Sequence, residues 1–122
     1  MESALKPVLW VGSALKDLKT FPEEVRSEVG FALFQAQRGE KPLNAKPLKG
    51  YSGASVLEIR ENFDKDTYRV VYTVQFAKAV YVLHAFQKKS KTGIATPKKD
   101  LATVDSRLKD AQQHYAANYQ EK

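Results

Sequence analysis

The stretch that decides the fold, residues 68–91, reads YRVVYTVQFAKAVYVLHAFQKKSK. Aromatic and β-branched residues, which favour strands, fill it on both sides of a short Ala-Lys-Ala connection. Such a short connection favours antiparallel neighbours, so the stretch predicts two paired strands, residues 67–76 and 80–89. A third strand is predicted at residues 55–62, where apolar and charged residues alternate before the turn FDKDT.

The segments on either side predict three helices and one more strand. Residues 5–12 are rich in strand formers, residues 13–21 predict a short helix, and residues 22–38 carry apolar side chains at helical spacing. Residues 39–54, rich in Pro, Gly and Lys, indicate a long connection. The last helix begins at Thr96-Pro97, with Thr96 as its N-cap. It carries an apolar stripe at heptad spacing, formed by Leu101, Val104, Leu108, Ala111 and Tyr115. The order β-α-α-β-β-β-α predicts an α+β fold: a mostly antiparallel four-stranded sheet, two N-terminal helices and a C-terminal helix.

Length and composition favour one soluble domain spanning residues 1–122. The chain has no cysteine, which excludes disulfides and thiolate metal sites and fits a reducing compartment. No apolar run approaches the roughly 20 residues that cross a bilayer, and the N-terminus lacks the pattern of a signal peptide. A cytoplasmic location, with no membrane contact, is therefore the expectation.

The positive charge is concentrated near the end of the last predicted strand. The net charge is +6, and residues 86–99 contain five lysines and no acidic residue. Clustered cations favour polyanionic partners such as nucleic acid, an anionic membrane or an acidic protein. The alternative is a solvated lysine-rich loop that binds nothing.

Strand alternation places two arginines on one face of the predicted sheet. If the helices cover the face that carries Leu57, Ile59 and Val70, then Arg60 and Arg69 emerge on the opposite, open face. Arginine is always protonated, and its planar fork of donors matches phosphate oxygens. Together with lysines at the next strand end, the pair predicts a cationic groove. The alternative is that both arginines form structural salt bridges, with Glu58 and Glu61 as the candidate partners.

The motifs occur in an order that resembles a known family. AKPLKGYSGASVLEIR, YRVVY and VLHAFQKKSK, followed by a helix that a proline begins, resemble the HigB-like, phage-derived branch of the RelE superfamily of type II toxins. The resemblance covers nearly the whole chain, with its core at residues 45–99. It implies two N-terminal helices against a sheet of about four strands, which agrees with the pattern above.

The resemblance also implies an activity and its partners. Members of this superfamily are endoribonucleases that cut messenger RNA, commonly on the ribosome, and a cognate antitoxin silences them. In this branch the antitoxin is usually a small helix-turn-helix protein. Cleavage needs no metal or other cofactor: the ribose 2′-hydroxyl attacks the adjacent phosphate, which requires a proton acceptor, a cation for the phosphorane and a proton donor.

The resemblance assigns roles to individual residues and leaves gaps. Arg69, within YRVVY, matches a working arginine of the family, and Lys91 matches a second one by charge alone. The two lysines that precede this strand in RelE fall on Val56 and Glu58, so that part of the apparatus is not reproduced. The working tyrosine of RelE likewise has no counterpart, because Pro97 stands near its place.

Other residues could complete the site. His84 has the side chain whose ordinary pKa suits proton transfer near neutral pH, and strand parity puts it on the face of Val80 and Val82; the alternative is a buried core histidine. Candidates for RNA contact are Phe86 and three lysines, Lys49, Lys88 and Lys89. For Phe86, as for Tyr51 and Tyr68, the alternative is a place in the core.

Three functions remain open on this sequence. A ribonuclease toxin with catalytic Arg60, Arg69, His84 and Lys91 is the leading one. A non-catalytic nucleic-acid-binding or regulatory protein on the same fold is the second, favoured by the missing lysine pair. An interaction protein whose basic face meets an acidic partner is the third. The histidines lie too far apart in sequence to form a recognised metal-ligand spacing, and no glycine-rich phosphate loop occurs.

Overall fold

The protein, as a computed structural model, is described for residues 5–51, 53, 55–88 and 95–119. Its helices are α1 (Ala14–Leu18), α2 (Glu23–Gln37) and α3 (Lys98–Asn118). Its strands are β1 (Val8–Trp10), β2 (Ala45–Pro47), β3 (Val56–Phe63), β4 (Asp66–Thr73) and β5 (Val80–Lys88). None of the helices in these ranges is long and apolar enough to cross a membrane.

The five strands form one mixed sheet in the order β1-β5-β4-β3-β2. The β1 strand is parallel to β5, and every other neighbouring pair is antiparallel. This confirms the predicted α+β class and corrects the strand count from four to five. The extra strand, β2, lies in the predicted connection. Its Lys46 and Pro47 are typical of an edge strand. Because the same residue types are common in loops, the sequence does not distinguish β2 from the connection.

A tight hairpin sets the register of the two central strands. Asp64 and Lys65, between β3 and β4, both have positive φ, 53° and 75°, as the primed two-residue turns require. The hairpin pairs Arg60 directly with Arg69. The two arginines are therefore direct cross-strand neighbours on one face of the sheet.

Helices α1 and α2 cover the first face of the sheet. The buried cluster between them and the strands contains apolar residues from α2 and from the three long strands, among them Val25, Val29, Leu33, Leu57, Ile59, Val70, Tyr72 and Val82. The face predicted from strand alternation is therefore the one that these helices cover. Its packing is a continuous apolar core.

Helix α3 covers the second face, which corrects the prediction of an open one. Val104 and Ala111 of α3 are fully buried against a second cluster that includes Val56, Val71 and Leu83. The heptad spacing of α3 explains this packing, because it gives the helix one apolar stripe. The alternation of β3 and β4 thus predicts correctly which residues share a face, whereas the apolar stripe alone does not show which face of the sheet α3 covers.

A β-bulge in β5 changes which residues share a face. Val71 pairs with His84 and Tyr72 pairs with Val82, so Leu83 is the additional residue in β5. Val82 consequently belongs to the cluster under α2, whereas Leu83 and His84 lie on the side of α3. The prediction that His84 shares a face with Val80 and Val82 is wrong, since strict alternation fails at a bulge.

Candidate functional site

Two arginines and a glutamate form the charged centre of the face under α3. Arg60 on β3 and Arg69 on β4 are paired in register, and Glu58 precedes Arg60 by two residues on the same face. Like charges directly opposite each other destabilise a sheet unless something offsets them. The carboxylate of Glu58 lies between the two guanidinium groups and supplies that offset.

The Glu58 side chain is fully buried, and both of its carboxylate oxygens accept hydrogen bonds. Oε1 accepts from Arg60 Nε at 2.9 Å and from Arg69 Nη1 at 3.4 Å. Oε2 accepts from the Thr96 hydroxyl at 2.9 Å. The sequence-based alternative of salt bridges with Glu58 is thus what the structure contains, whereas Glu61 instead accepts a hydrogen bond from Asn44.

The two arginines differ in their access to solvent. Arg69 is 3% exposed, whereas the Arg60 side chain is 31% exposed. The predicted groove with both guanidinium groups open to solvent is therefore wrong for Arg69. Arg60 remains accessible and borders solvent.

A groove of about 330 Å³ opens beside Arg60. Its polar lining comes from Arg60, Lys49 and Thr96, and its apolar lining comes from Pro47, Leu48, Ala95 and Leu101. Lys49 is exposed, so its ammonium group can move toward an anion held by Arg60. Two cations at one groove match the requirements of a phosphate group.

His84 lies in the same face, in contact with α3. Its Nε2 is 2.7 Å from Asp100 Oδ1, and its ring stacks on Phe86 with the centroids 4.9 Å apart. The Asp100 carboxylate favours a proton on Nε2, which leaves Nδ1 as the acceptor nitrogen. The histidine is 9% exposed, so the sequence-based alternative of a buried, hydrogen-bonded histidine describes its environment.

The remaining predicted RNA contacts are only partly brought to this site. Phe86 is half-buried and pairs in register with Arg69. The Lys88 ammonium group donates to the carbonyl of Ala95 at 3.0 Å, close to the groove. Lys89 and Lys91 lie outside the described residues. Tyr68 belongs to the opposite core, where it packs on Phe21, and is not a stacking candidate here.

Polar contacts along its length hold α3 over the site. Arg107 donates from Nη1 to the carbonyl of Leu83, the bulged residue, and from Nη2 to Ser13 Oγ, both at 3.0 Å. Tyr51 donates to the Asp105 carboxylate, and burial together with this contact raises the pKa of the Tyr51 hydroxyl. The cover over Arg69 and His84 thus depends on polar contacts as well as on apolar packing.

The site brings together cations, a histidine and carboxylates. In the part of the chain that the structure describes, no group of three His, Cys, Asp or Glu side chains could hold a metal ion. The guanidinium groups can bind an anion and stabilise developing negative charge, and the histidine can accept or donate a proton.

Three residues of the site were missed or misassigned from sequence. Glu58 appeared only as a possible salt-bridge partner, although strand parity alone places it beside Arg60. Thr96 was predicted to cap α3, but Pro97 occupies the N-cap position and the Thr96 hydroxyl bonds to Glu58 instead. Asp100 carried no signal, because its contact with His84 depends on where α3 packs.

The chain is similar in sequence to a described family. A family model with the description "Phage derived protein Gp49-like (DUF891)" matches residues 16–109. The matched range includes Glu58, both arginines of the site and His84. No curated protein sequence matches the chain.

Two solved toxin structures resemble the fold. A double arginine-to-alanine mutant of the Escherichia coli toxin RelE in the free state aligns with a TM-score of 0.56 at 16% identity, covering 88% of this chain and 98% of that one. A chain of the Mycobacterium tuberculosis toxin–antitoxin complex RelBE2 aligns with a TM-score of 0.48 at 19% identity, covering 73% of this chain and 98% of that one. At such identities the likeness to RelE shows a shared fold.

Proposed function

Since the chain belongs to the Gp49-like family of phage-derived proteins, we propose that it is the toxin of a type II toxin–antitoxin system, of the HigB-like kind. Its activity is metal-independent cleavage of messenger RNA, in the cytoplasm and on translating ribosomes. Its partner is a cognate helix-turn-helix antitoxin. The RelE-like fold supports this assignment.

The observation that carries the proposal is the in-register pair of Arg60 and Arg69 around one buried carboxylate. A fold gains little from two guanidinium groups placed directly opposite each other, because the arrangement needs a counter-ion to be tolerated. A site for a phosphodiester does gain, since two cations at one point stabilise a crowded, doubly charged phosphorane. The arrangement therefore favours an anionic substrate.

The reaction is a transesterification at one phosphate of the RNA strand. The 2′-oxygen forms a bond to phosphorus while the bond from phosphorus to the 5′-oxygen breaks; one proton leaves the 2′-hydroxyl and another joins the 5′-oxygen. Arg60 holds the phosphate at the groove, and Arg69 adds positive charge from beneath. His84 accepts or donates a proton through Nδ1 during these transfers. Lys91 serves as a further cation.

The site residues differ in whether an RNA strand can reach them. Arg60 and Lys49 meet a phosphate in the arrangement described, whereas Arg69 and His84 are buried. Phe86 and Lys88, at the end of β5, contact the neighbouring nucleotides. Lys89 adds a further cation for the same RNA.

The test is primer extension on cellular mRNA after induced expression, comparing wild type with Arg69→Ala. Cleavage sites are expected with wild type and absent or greatly reduced with the variant. The matched control is Arg38→Ala, since Arg38 is an exposed arginine at the end of α2, away from the α3 face. Cleavage that persists unchanged in Arg69→Ala removes Arg69 from the site, and no cleavage by wild type contradicts the activity.

A second candidate function is RNA binding without cleavage. It is favoured by the carboxylate of Glu58, which stands where the resemblance places a lysine, and by the burial of Arg69. This candidate predicts salt-sensitive RNA affinity in wild type together with intact mRNA after induction. The same expression experiment, with a binding assay beside it, separates the two functions.

A further inference from the structure

We propose that Glu58 is the positioning residue of this site: it holds Arg60 and Arg69 as one rigid cation pair and ties that pair to the start of α3. This inference rests on the proposed ribonuclease function and adds to it. The residue stands where the resemblance places a lysine, so it reverses the charge expected there. No role for a carboxylate follows from that resemblance.

The first argument is electrostatic. Arg60 and Arg69 are direct cross-strand neighbours, and Arg69 is buried almost completely. A buried guanidinium group needs a counter-ion, and two of them side by side repel each other. Oε1 of Glu58 contacts both, at 2.9 and 3.4 Å, so one oxygen sets the position of both cations.

The second argument concerns the other oxygen. Oε2 accepts a hydrogen bond from Thr96, two residues before α3 begins. The first turn of α3 carries Asp100, which contacts His84. Glu58 therefore links the position of the arginines to the position of the helix turn that orients the histidine.

The third argument excludes a direct catalytic role. Glu58 is 0% exposed, and both oxygens already accept hydrogen bonds, so the carboxylate has no route to a substrate proton. Arg60 contacts Glu58 through Nε, which leaves the two Nη groups of its fork for an anion in the groove. Glu58 thus acts on the substrate through the arginines.

These arguments predict opposite effects on binding and on rate when the charge is removed. Glu58→Gln keeps the shape of the side chain but deletes a negative charge next to a polyanion site, which favours RNA binding. The same change lets the two guanidinium groups separate, which slows the chemical step. A residue with a purely structural role would weaken binding and rate together with stability.

The experiment measures single-turnover cleavage of a short messenger RNA on translating ribosomes, and the affinity for its 2′-O-methylated analogue, which cannot react. We expect Glu58→Gln to slow cleavage about tenfold or more while the Kd of the analogue stays equal or falls. The matched control is Glu61→Gln, on the same strand and bonded to Asn44 instead, which should change both quantities less than about twofold.

Unchanged cleavage in Glu58→Gln overturns the proposal, and so does a weaker affinity that falls in step with the rate. If that variant is unfolded at the assay temperature, Thr96→Val replaces it: it removes only the Oε2 contact and should slow cleavage severalfold without weakening binding. An unchanged rate in Thr96→Val then overturns the proposal.

A wild type that never cleaves contradicts the proposed function and leaves the positioning role to a separate measurement. That measurement is the ¹⁵N spectrum of the arginine Nε–H groups. A slowly exchanging Arg60 signal, lost in Glu58→Gln and kept in Glu61→Gln, supports the positioning role. An Arg60 signal that is the same in both variants overturns it.

Discussion

The two faces of the sheet are built from the same strands but bury different kinds of side chain. Under α1 and α2 the buried cluster is continuous and apolar. On the face that α3 covers, a second apolar cluster is accompanied by the buried polar and charged residues of the described chain: Glu58, Arg69, Thr73, His84 and Asp100. The contrast indicates that the first face supplies stability, whereas the second holds charge in place at some cost in stability.

Two adjacent residues of β3 show the same difference between the two faces. Ile59 and Glu58 are both fully buried, and they point to opposite faces. One is apolar among apolar neighbours, and the other is a carboxylate among cations. Substitutions at these neighbours should therefore separate stability from activity.

The largest effect on stability is expected on the apolar face. Ile59→Ala leaves a cavity in the α2-side core and should lower the free energy of unfolding by about 3 to 4 kcal/mol. Urea denaturation measures this loss, and RNA cleavage per folded molecule should not change. A loss below about 1 kcal/mol would show that this face is not the main source of stability.

A smaller effect is expected where α3 meets His84. Asp100→Ala removes the partner of a nearly buried ring nitrogen and should cost about 2 kcal/mol. Amide hydrogen exchange in the first turns of α3 should accelerate at the same time. Lys99→Ala, at the neighbouring exposed position, is the control and should leave exchange unchanged. Equal protection in both variants would mean that Asp100 does not hold the helix.

The contact between the β1–α1 connection and α3 gives the next effect. Gly12 has a φ of +58°, and an added Cβ would lie 2.8 Å from Arg107 Nε. Gly39 also has positive φ, +84°, but open space around it. Gly12→Ala should therefore cost about 1 kcal/mol more than Gly39→Ala in thermal or urea unfolding. Equal costs would mean that the Arg107 contact is not tight in solution.

The smallest effect at neutral pH is expected at Tyr72 on the apolar face. Burial raises its pKa from 10.0 to about 12, so the folded state disfavours the ionised phenol. Its contribution to stability is present below pH 10 and is lost as the pH rises toward 12. Tyr72→Phe should change unfolding little at pH 7 and should flatten the alkaline loss of stability measured between these values. An identical alkaline profile in both proteins would contradict the burial of this hydroxyl.

Alternation and heptad spacing were sufficient to predict the fold class and the face of Arg60 and Arg69. They were sufficient because period-two and period-3.5 patterns report directly which side chains are buried. The position of His84 could not be predicted, because the bulge at Leu83 has no local signature in an apolar strand. The burial of Arg69 could not be predicted either. Heptad spacing shows that α3 has an apolar stripe, but it does not show which face of the sheet the stripe contacts.

The most direct test of the central claim, that RNA lies across the face with the paired arginines, is a chemical-shift titration. The ¹⁵N-labelled protein is titrated with a short 2′-O-methylated oligoribonucleotide, which binds without reacting. The account predicts the largest shift changes at Lys49, Arg60 and Thr96, around the groove. Changes confined to the exposed side of α2, around Phe31 and Phe34, or no saturable change at all, would contradict it.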